Sequence, residues 1–191
     1  MTPAVTRAVL ATGNAHKLAE VRAILGDGWV LDAYDSNIEE TGDTFEDNAL
    51  LKARVVAATT GALALADDSG IEIDALGGAP GVRSARWTAE GDWIPRVLRE
   101  LEGLGADKRG CRYVCAAAAA FPDERELVVR GIVEGRVAPA PRGTGGFGYD
   151  PVMIPSEGDG RTFAQMSDAE KHALSHRGRA FRRLAAELAA D

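Results

Sequence analysis

The chain has 191 residues, 46% of them hydrophobic and 27% charged, a composition that predicts one globular domain over residues 1–191 and excludes a disordered tail, a collagen-like fibre and a disulfide-stapled miniprotein. With 22 Lys and Arg residues against 29 Asp and Glu residues the formal net charge is −7, which disfavours a nucleic acid polymer as a partner. No apolar run approaches the ~20 residues of a membrane helix and the first residues do not resemble a signal peptide, so we expect no membrane partner and a cytoplasmic location.

The N-terminal part of the chain alternates between strands and helices. Residues 7–12 predict a strand, after which Asn14 caps a helix that runs to about Leu25 with its apolar side chains on one face. A second strand is predicted over 29–33, and an acidic loop follows it over 34–42. This alternation is typical of α/β folds.

The next helix carries signals at both of its ends. Thr44 is predicted to cap it, with Asp47 three residues later in a variant of the capping box, and Gly61 follows its last turn. Residues 62–66 then predict a buried strand, which we expect to be broken by the polar residues 67–70.

The C-terminal half predicts a helix, a hairpin, a short strand and a terminal helix, separated by Gly-rich loops. In chain order these are the loop 74–87, the helix capped by Asp92, the strands 112–121 and 126–137, the loop 139–148, the strand 152–154 and the helical segment that opens with a capping box at Ser167. A mixed sheet flanked by helices follows from this order of elements.

A polar turn, TGNAHK at 12–17, separates the first strand from the first helix. A helix presents backbone N–H groups and the positive end of its dipole at such a turn, so an anion such as phosphate can bind there. Lys17 adds a full positive charge in the first helical turn, although taken alone it is explained as a solvated lysine. The sequence contains no Walker A pattern.

Two acidic pairs raise the possibility of a metal site. Asp67 and Asp68 follow the buried strand, and because neighbouring side chains of a strand point to opposite faces, only one of them can enter a given cleft. For residues 67–70 alone, a simple turn is the favoured interpretation. The second pair, Glu39 and Glu40, shifts the balance, because Mg²⁺ is bound by one or two carboxylates together with substrate phosphates.

The loop GTGGFGYDP at 143–151 contains a G-x-G-x-x-G pattern, but no strand precedes it and Pro151 blocks the helix that a dinucleotide site needs. Two interpretations stay open. The loop either presents Phe147 and Tyr149 for stacking on a base, or it is a tight turn that anchors both aromatic rings in the core.

The segment EKHALSHRG at 170–178 places His172 and His176 at helical i, i+4 spacing, without the further ligand that a zinc site needs. Together with Lys171, the pair His176 and Arg177 offers donors for phosphate or carbonyl oxygens. Alternatively, these residues form a solvated basic face.

Taken together and in order, these segments resemble the non-canonical purine nucleoside triphosphate pyrophosphatases, the dITP/XTP pyrophosphatases related to inosine triphosphate pyrophosphatase. The matching blocks are TGNxxK, EETGxTF with NAxxKA, ADDSG, LGGAPGVRSARW, GTGGFGYDP and EKxxxSHRG. They extend from about Val9 to Gly178, which is nearly the whole chain.

The resemblance implies a role for each matching residue. Asp68 matches the catalytic proton acceptor of the family. Asp68 and Glu39 also match the residues that bind a Mg²⁺ cofactor. The implied substrate-binding residues are Thr12, Gly13, Asn14, Ala15, His16, Lys17, Ser69, Phe147, Gly148, Tyr149, Asp150, Lys171, His176 and Arg177. The chain departs from the family at Asp47, where Glu is expected, so a role for this shorter carboxylate in positioning a metal-associated water is left open.

The resemblance also implies a fold and a reaction. The implied fold is an elongated α/β domain of two lobes with a long mixed sheet, an active-site cleft between the lobes and a homodimeric assembly. The implied reaction is hydrolysis of ITP, dITP or XTP to the monophosphate and pyrophosphate, by attack of water on the α-phosphorus, which would cleanse the nucleotide pool. The alternatives are a nucleotide sensor without activity and a phosphatase that releases orthophosphate.

Overall fold

The structure, a computed structural model that describes residues 5–35, 37–88 and 91–190, contains one six-stranded sheet. The strands are β1 (Thr6–Ala11), β2 (Trp29–Tyr34), β3 (Ala64–Ile73), β4 (Gly110–Ala120), β5 (Glu126–Val137) and β6 (Met153–Pro155). Their order is β2-β1-β3-β4-β5-β6, with β1 parallel to both β2 and β3 and β5 antiparallel to β6. The predicted mixed sheet is therefore confirmed.

Within the described ranges, five α-helices accompany the sheet: α1 (Ala15–Leu25), α2 (Phe45–Thr60), α3 (Trp93–Glu100), α4 (Asp168–Leu174) and α5 (His176–Leu188). The predicted caps of three of them are confirmed, because the side chains of Asn14, Thr44 and Ser167 accept backbone N–H groups of the first turn. Asp92 precedes α3 as predicted, but its side chain makes no capping hydrogen bond.

The prediction that residues 67–70 break a strand is wrong, because β3 continues through them to Ile73. After the polar residues 67–70, Ile71 and Ile73 are fully buried in the apolar core. Burial of these two side chains keeps the chain extended beyond the polar residues. Asp67 and Asp68 also stay in the strand because buried donors replace the water that their carboxylates would otherwise need.

The helical spacing predicted for His172 and His176 is also wrong, because the two residues belong to different helices. Between them Ser175 adopts an extended conformation, with φ −64° and ψ 154°, and its N–H donates to the carbonyl of Lys171. The chain therefore turns at Ser175 before α5 begins.

The described residues group into two compact units, each with its own apolar core. Unit 1 contains the described residues up to Asp68, Cys115–Gly131 and the described residues from Arg177 onward. Unit 2 contains the described part of Ser69–Val114 together with Ile132–His176. The single domain over 1–191, whose residues 1–4, 36, 89, 90 and 191 lie outside the described residues, stays a prediction.

None of the helices in the described ranges combines the length and the apolar character that crossing a bilayer requires.

Candidate active site

The turn between β1 and α1 is organised by Asn14. Its Oδ1 atom accepts the N–H groups of His16 at 2.9 Å and Lys17 at 3.2 Å, and its own N–H donates to Thr12 Oγ1 at 3.1 Å. A Cβ atom on Gly13 would meet the carboxylate of Asp35, which is an exposed side chain. Two N–H groups that an anion could use are thus already bound to Asn14, so Lys17 is the main source of positive charge at this turn.

Asp67 is a buried carboxylate held by cations from two helices of unit 1. Its Oδ2 atom accepts Lys17 Nζ at 3.4 Å and the Nε and Nη2 atoms of Arg177 at 3.3 and 3.1 Å. Burial raises the pKa of Asp67, but the charges of Lys17 and Arg177 outweigh it and hold this pKa well below its ordinary value. Arg177 is only 1% exposed, and its Nη1 atom donates to the buried carboxylate of Glu20.

Asp68 lies on the opposite face of β3 and has different surroundings. Its Oδ2 atom accepts Asn48 Nδ2 at 2.9 Å, while the neighbouring Lys52 donates through Nζ to Glu40 Oε1 at 2.6 Å. Burial is the main reason why the pKa of Asp68 rises to about 6; the charges of Glu40 and Asp67 raise it further, against the opposing charge of Lys52.

The two neighbouring carboxylates therefore differ in acid–base behaviour because strand geometry places them in different environments. Asp67 is an ionised anchor for cations, whereas Asp68 can exchange a proton near neutral pH. Titratable groups whose pKa values are pushed apart in one site are typical of general acid–base catalysis.

The carboxylates near Asp68 suit a hard cation. No group of three or more His, Cys, Asp or Glu residues that could hold a metal occurs in the described part of the chain. Mg²⁺ needs only one or two carboxylates when substrate phosphates complete its shell. Asp68 and Glu40 provide such oxygens, and a cation would offset the repulsion from Glu40 that adds to the effect of burial on the pKa of Asp68. Glu39, the predicted ligand, is exposed. The other member of the pair, Glu40, is the one whose charge raises the pKa of Asp68.

In unit 2 the two aromatic residues of the loop 143–151 have separate roles. Phe147 is 42% exposed, whereas Tyr149 is 7% exposed and donates its hydroxyl to the carbonyl of Ser84 at 2.8 Å. The loop therefore anchors Tyr149, as the second interpretation predicts for that ring, and leaves Phe147 exposed; stacking of Phe147 on a base stays a prediction. Gly148 between them is half-buried with a φ of +60°, and Ser69 is half-buried in β3.

Asp150 connects this loop to α4. Its Oδ2 atom accepts the N–H of Phe147 at 2.8 Å and Lys171 Nζ at 2.9 Å, and the same Nζ atom lies 4.5 Å from the centre of the Phe147 ring. Lys171, His176 and Arg177 are all buried, so the alternative of a solvated basic face is wrong.

Several residues that surround these groups were not predicted as site residues. They are Glu20, Asn48, Lys52 and Tyr113; Glu40 and Asp67 belong to the two acidic pairs noted in the sequence, although the resemblance assigned no role to either. Asn48 and Lys52 lie in the block NAxxKA, which was a signal for them. Asp47, whose role was open, contributes to the cap of α2: its N–H donates to Thr44 Oγ1 at 3.1 Å and its carboxylate accepts the Thr44 hydroxyl at 2.7 Å.

The fold and the site define a class: an α/β protein in which an internal strand of a mixed sheet carries two buried carboxylates among Lys and Arg side chains. The sequence matches the model of the Ham1 family over residues 8–187. The chain belongs to this family.

Relatives with known names support the assignment. A dITP/XTP pyrophosphatase of Symbiobacterium thermophilum is 49% identical over 190 residues, which cover 96% of this chain and 95% of the relative. Among solved structures, a HAM1 protein from Coxiella burnetii is 38% identical in sequence and matches the fold with a TM-score of 0.86. The match covers 98% of this chain and 100% of the Coxiella chain. A nucleoside-triphosphatase, dITP/XTP pyrophosphatase, from Mycobacterium abscessus is 40% identical with a TM-score of 0.75, and the match covers 96% of this chain and 99% of that one.

Proposed function

We propose that the chain is a nucleoside triphosphate pyrophosphatase that hydrolyses non-canonical purine nucleotides, ITP, dITP and XTP, to the monophosphate and pyrophosphate. The observation that carries the proposal is the pair of neighbouring buried carboxylates with different partners, Asp67 bound by Lys17 and Arg177 and Asp68 bound by the Asn48 amide, with pKa values shifted in opposite directions. Relatives that match nearly the whole chain are dITP/XTP pyrophosphatases, which supports the choice of substrate.

Asp68 is the proton acceptor in this proposal. An ordinary aspartate, with a pKa near 3.9, is a weak base for water. Burial brings the pKa of Asp68 to about 6, close to the pH at which a general base works best. Asn48 Nδ2 holds one carboxylate oxygen and thereby orients the group toward the water that attacks the α-phosphorus.

Lys17 and Lys52 are the cations of unit 1 that we assign to the phosphates. Each is partly buried beside a carboxylate, so its position is fixed before the substrate binds. Preorganised charges of this kind stabilise the negative charge that develops on the leaving pyrophosphate.

We assign Mg²⁺ to Asp68 together with the acidic pair Glu39 and Glu40, of which Glu40 is the carboxylate that influences Asp68. When bound, the ion neutralises phosphate charge and makes water more acidic. The remaining residues of the β1–α1 turn, Thr12 to His16, shape the phosphate end of the site.

We assign the base to Ser69, Phe147, Gly148, Tyr149, Asp150, Lys171 and His176. Hypoxanthine and xanthine present a carbonyl acceptor at the 6-position, where adenine presents an amino donor. His176 can donate to that oxygen, so adenine would leave a buried donor unpaired. Arg177 also has only donors, but they already serve Asp67 and Glu20. We therefore assign Arg177 to holding Asp67.

We further propose that the chain acts in the cytoplasm as a homodimer. Sedimentation equilibrium would measure the mass of the assembly directly. Nucleic acid polymers are not among its proposed partners.

The test is a panel of ITP, dITP, XTP, GTP and ATP with Mg²⁺ and identification of every product. We expect pyrophosphate as the released phosphate species, and kcat/KM for the first three substrates well above GTP and roughly 10⁴-fold above ATP. His176→Ala should reduce that ratio more than it reduces kcat. Orthophosphate as the product would indicate a phosphatase. Tight binding of dITP without hydrolysis would indicate a sensor.

A further inference from the structure

Tyr113, in β4, is a buried tyrosine that none of the matching sequence blocks contains. Its ring is stacked on Phe163, with ring centres 5.6 Å apart and planes 6° apart, and it lies 4.7 Å from the ring of His176. Its hydroxyl donates to Asp150 Oδ1 at 3.2 Å. The ring is thus held by packing, and the hydroxyl has a defined direction.

The carboxylate that Tyr113 contacts is shared between three groups. Tyr113 binds Oδ1, whereas the N–H of Phe147 and the ammonium of Lys171 bind Oδ2 at 2.8 and 2.9 Å. A carboxylate bound through both oxygens cannot rotate without losing a bond, so the tyrosine fixes the plane in which Asp150 receives the other two donors.

The loop is shaped for this carboxylate. Gly146 has a φ of +68°, and a Cβ atom on it would lie 2.1 Å from Asp150 Oδ2. The backbone of Gly146 therefore passes so close to the Asp150 carboxylate that a side chain at this position would clash with it.

The negative charge of Asp150 is already balanced by the positive charge of Lys171, without Tyr113. Asp150 and Lys171 form a buried ion pair with exposures of 3% and 5%, so the tyrosine has to supply a neutral donor. Burial, followed by the charge of Asp150, raises the pKa of Tyr113 well above its ordinary value, so the hydroxyl keeps its proton.

We propose that Tyr113 is a positioning residue for purine binding: through its bond to Asp150 it fixes the Phe147 backbone and the Lys171 ammonium, and so sets the orientation of the exposed Phe147 ring. The role deepens the proposed function and rests on it, because the ring is oriented for a purine base. Tyr113 itself touches neither base nor phosphate in this proposal.

The first test is a double-mutant cycle of Tyr113→Phe and Asp150→Asn, with Tyr34→Phe as the matched control. Tyr113→Phe keeps the ring and its stacking and should raise KM for dITP about three- to tenfold with kcat within about twofold. Because Tyr113 acts through Asp150, its effect should disappear in the Asp150→Asn background. An equal increase in KM in both backgrounds, or none in the first, would overturn the proposal.

The second test does not use activity. The amide hydrogen of Phe147 is bound by Asp150, so its exchange rate in the unliganded protein reports the orientation of that carboxylate. We expect faster exchange in Tyr113→Phe and no change in Tyr34→Phe. Unchanged exchange in Tyr113→Phe would refute the positioning role. A wild-type protein that hydrolyses no nucleotide while Tyr113→Phe still speeds exchange would refute only the proposed function.

Discussion

At the scale of single residues, the site depends on how differently the protein treats Asp67 and Asp68. Asp67 accepts three N–H groups from Lys17 and Arg177. For Asp68 the structure gives one amide donor, Asn48, with the negative charge of Glu40 nearby. Burial raises both pKa values; the charges of Lys17 and Arg177 outweigh it at Asp67, whereas at Asp68 the charge of Lys52 is opposed by those of Glu40 and Asp67.

The pKa of Asp68 can be measured directly. In metal-free protein its carboxyl carbon resonance, assigned by its loss in Asp68→Asn, should titrate near pH 6. Addition of MgCl₂ should lower the midpoint, because a bound cation competes with the proton. A midpoint near pH 4 that Mg²⁺ leaves unchanged would exclude both the raised pKa and metal binding at Asp68.

Asp68→Asn should remove activity and increase stability. Loss of a general base lowers kcat on the order of 10²–10⁴-fold. The folded pKa of about 6 lies above the ordinary 3.8, so ionisation of Asp68 destabilises the fold as pH rises through this window. The variant should therefore unfold with a free energy greater by on the order of 2 kcal/mol at pH 7.5, and by little near pH 4. Equal stability at pH 7.5 would mean that burial of this charge has no cost.

Lys17→Ala should lower kcat as well as raise KM, since Lys17 is proposed to neutralise charge that develops on pyrophosphate. We expect at least about a tenfold loss of kcat/KM. Lys108 is exposed and outside every matching block, so Lys108→Ala is the control and should change neither constant. Similar losses in the two variants would show that only the overall charge matters.

At the scale of elements, α5 contributes to unit 1 through a buried arginine. Arg177, at its first turn, joins Asp67 of β3 to Glu20 of α1. The same helix carries an exposed pair, Arg183 with Glu187 at 2.8 Å. The helix therefore contains a buried and an exposed example of the same ion pair.

The two pairs should differ in their contribution to stability. Glu20→Gln leaves part of the charge of a buried Arg177 uncompensated and should lower the free energy of unfolding by roughly 3 kcal/mol. Glu187→Gln removes a solvent-screened i, i+4 contact and should cost roughly 0.3 kcal/mol. Urea unfolding of both variants at pH 7 gives the comparison, and equal losses would contradict the role assigned to Arg177.

The elements also show what sequence reasoning reaches. The caps at Asn14, Thr44 and Ser167 were predictable because each depends on residues within one turn. The continuation of β3 beyond Asp68 was not, since it depends on donors from α1, α2 and α5. Arg177 is 110 positions from Asp67, and no local pattern indicates that the two meet. The same applies to Tyr113 and Asp150, which are 37 positions apart.

At the scale of the whole molecule, the net charge of −7 limits the ligands that can bind. A small anion can be held by a few fixed cations such as Lys17, whereas a nucleic acid polymer needs an extended basic surface. Filter binding should therefore show no retention of single- or double-stranded DNA at 100 mM salt and micromolar protein. Salt-sensitive retention would contradict the assignment of a mononucleotide as substrate.

The interleaving of the two compact units constrains how this protein can evolve. Unit 1 is assembled from three stretches of chain and unit 2 from two, so neither corresponds to a continuous piece of the gene. A contiguous segment that contains the whole of either unit also carries residues of the other, so a single recombination event cannot transfer one unit alone to another protein. New specificities in this lineage are therefore expected to arise by point substitution within loops such as 143–151, rather than by the exchange of modules.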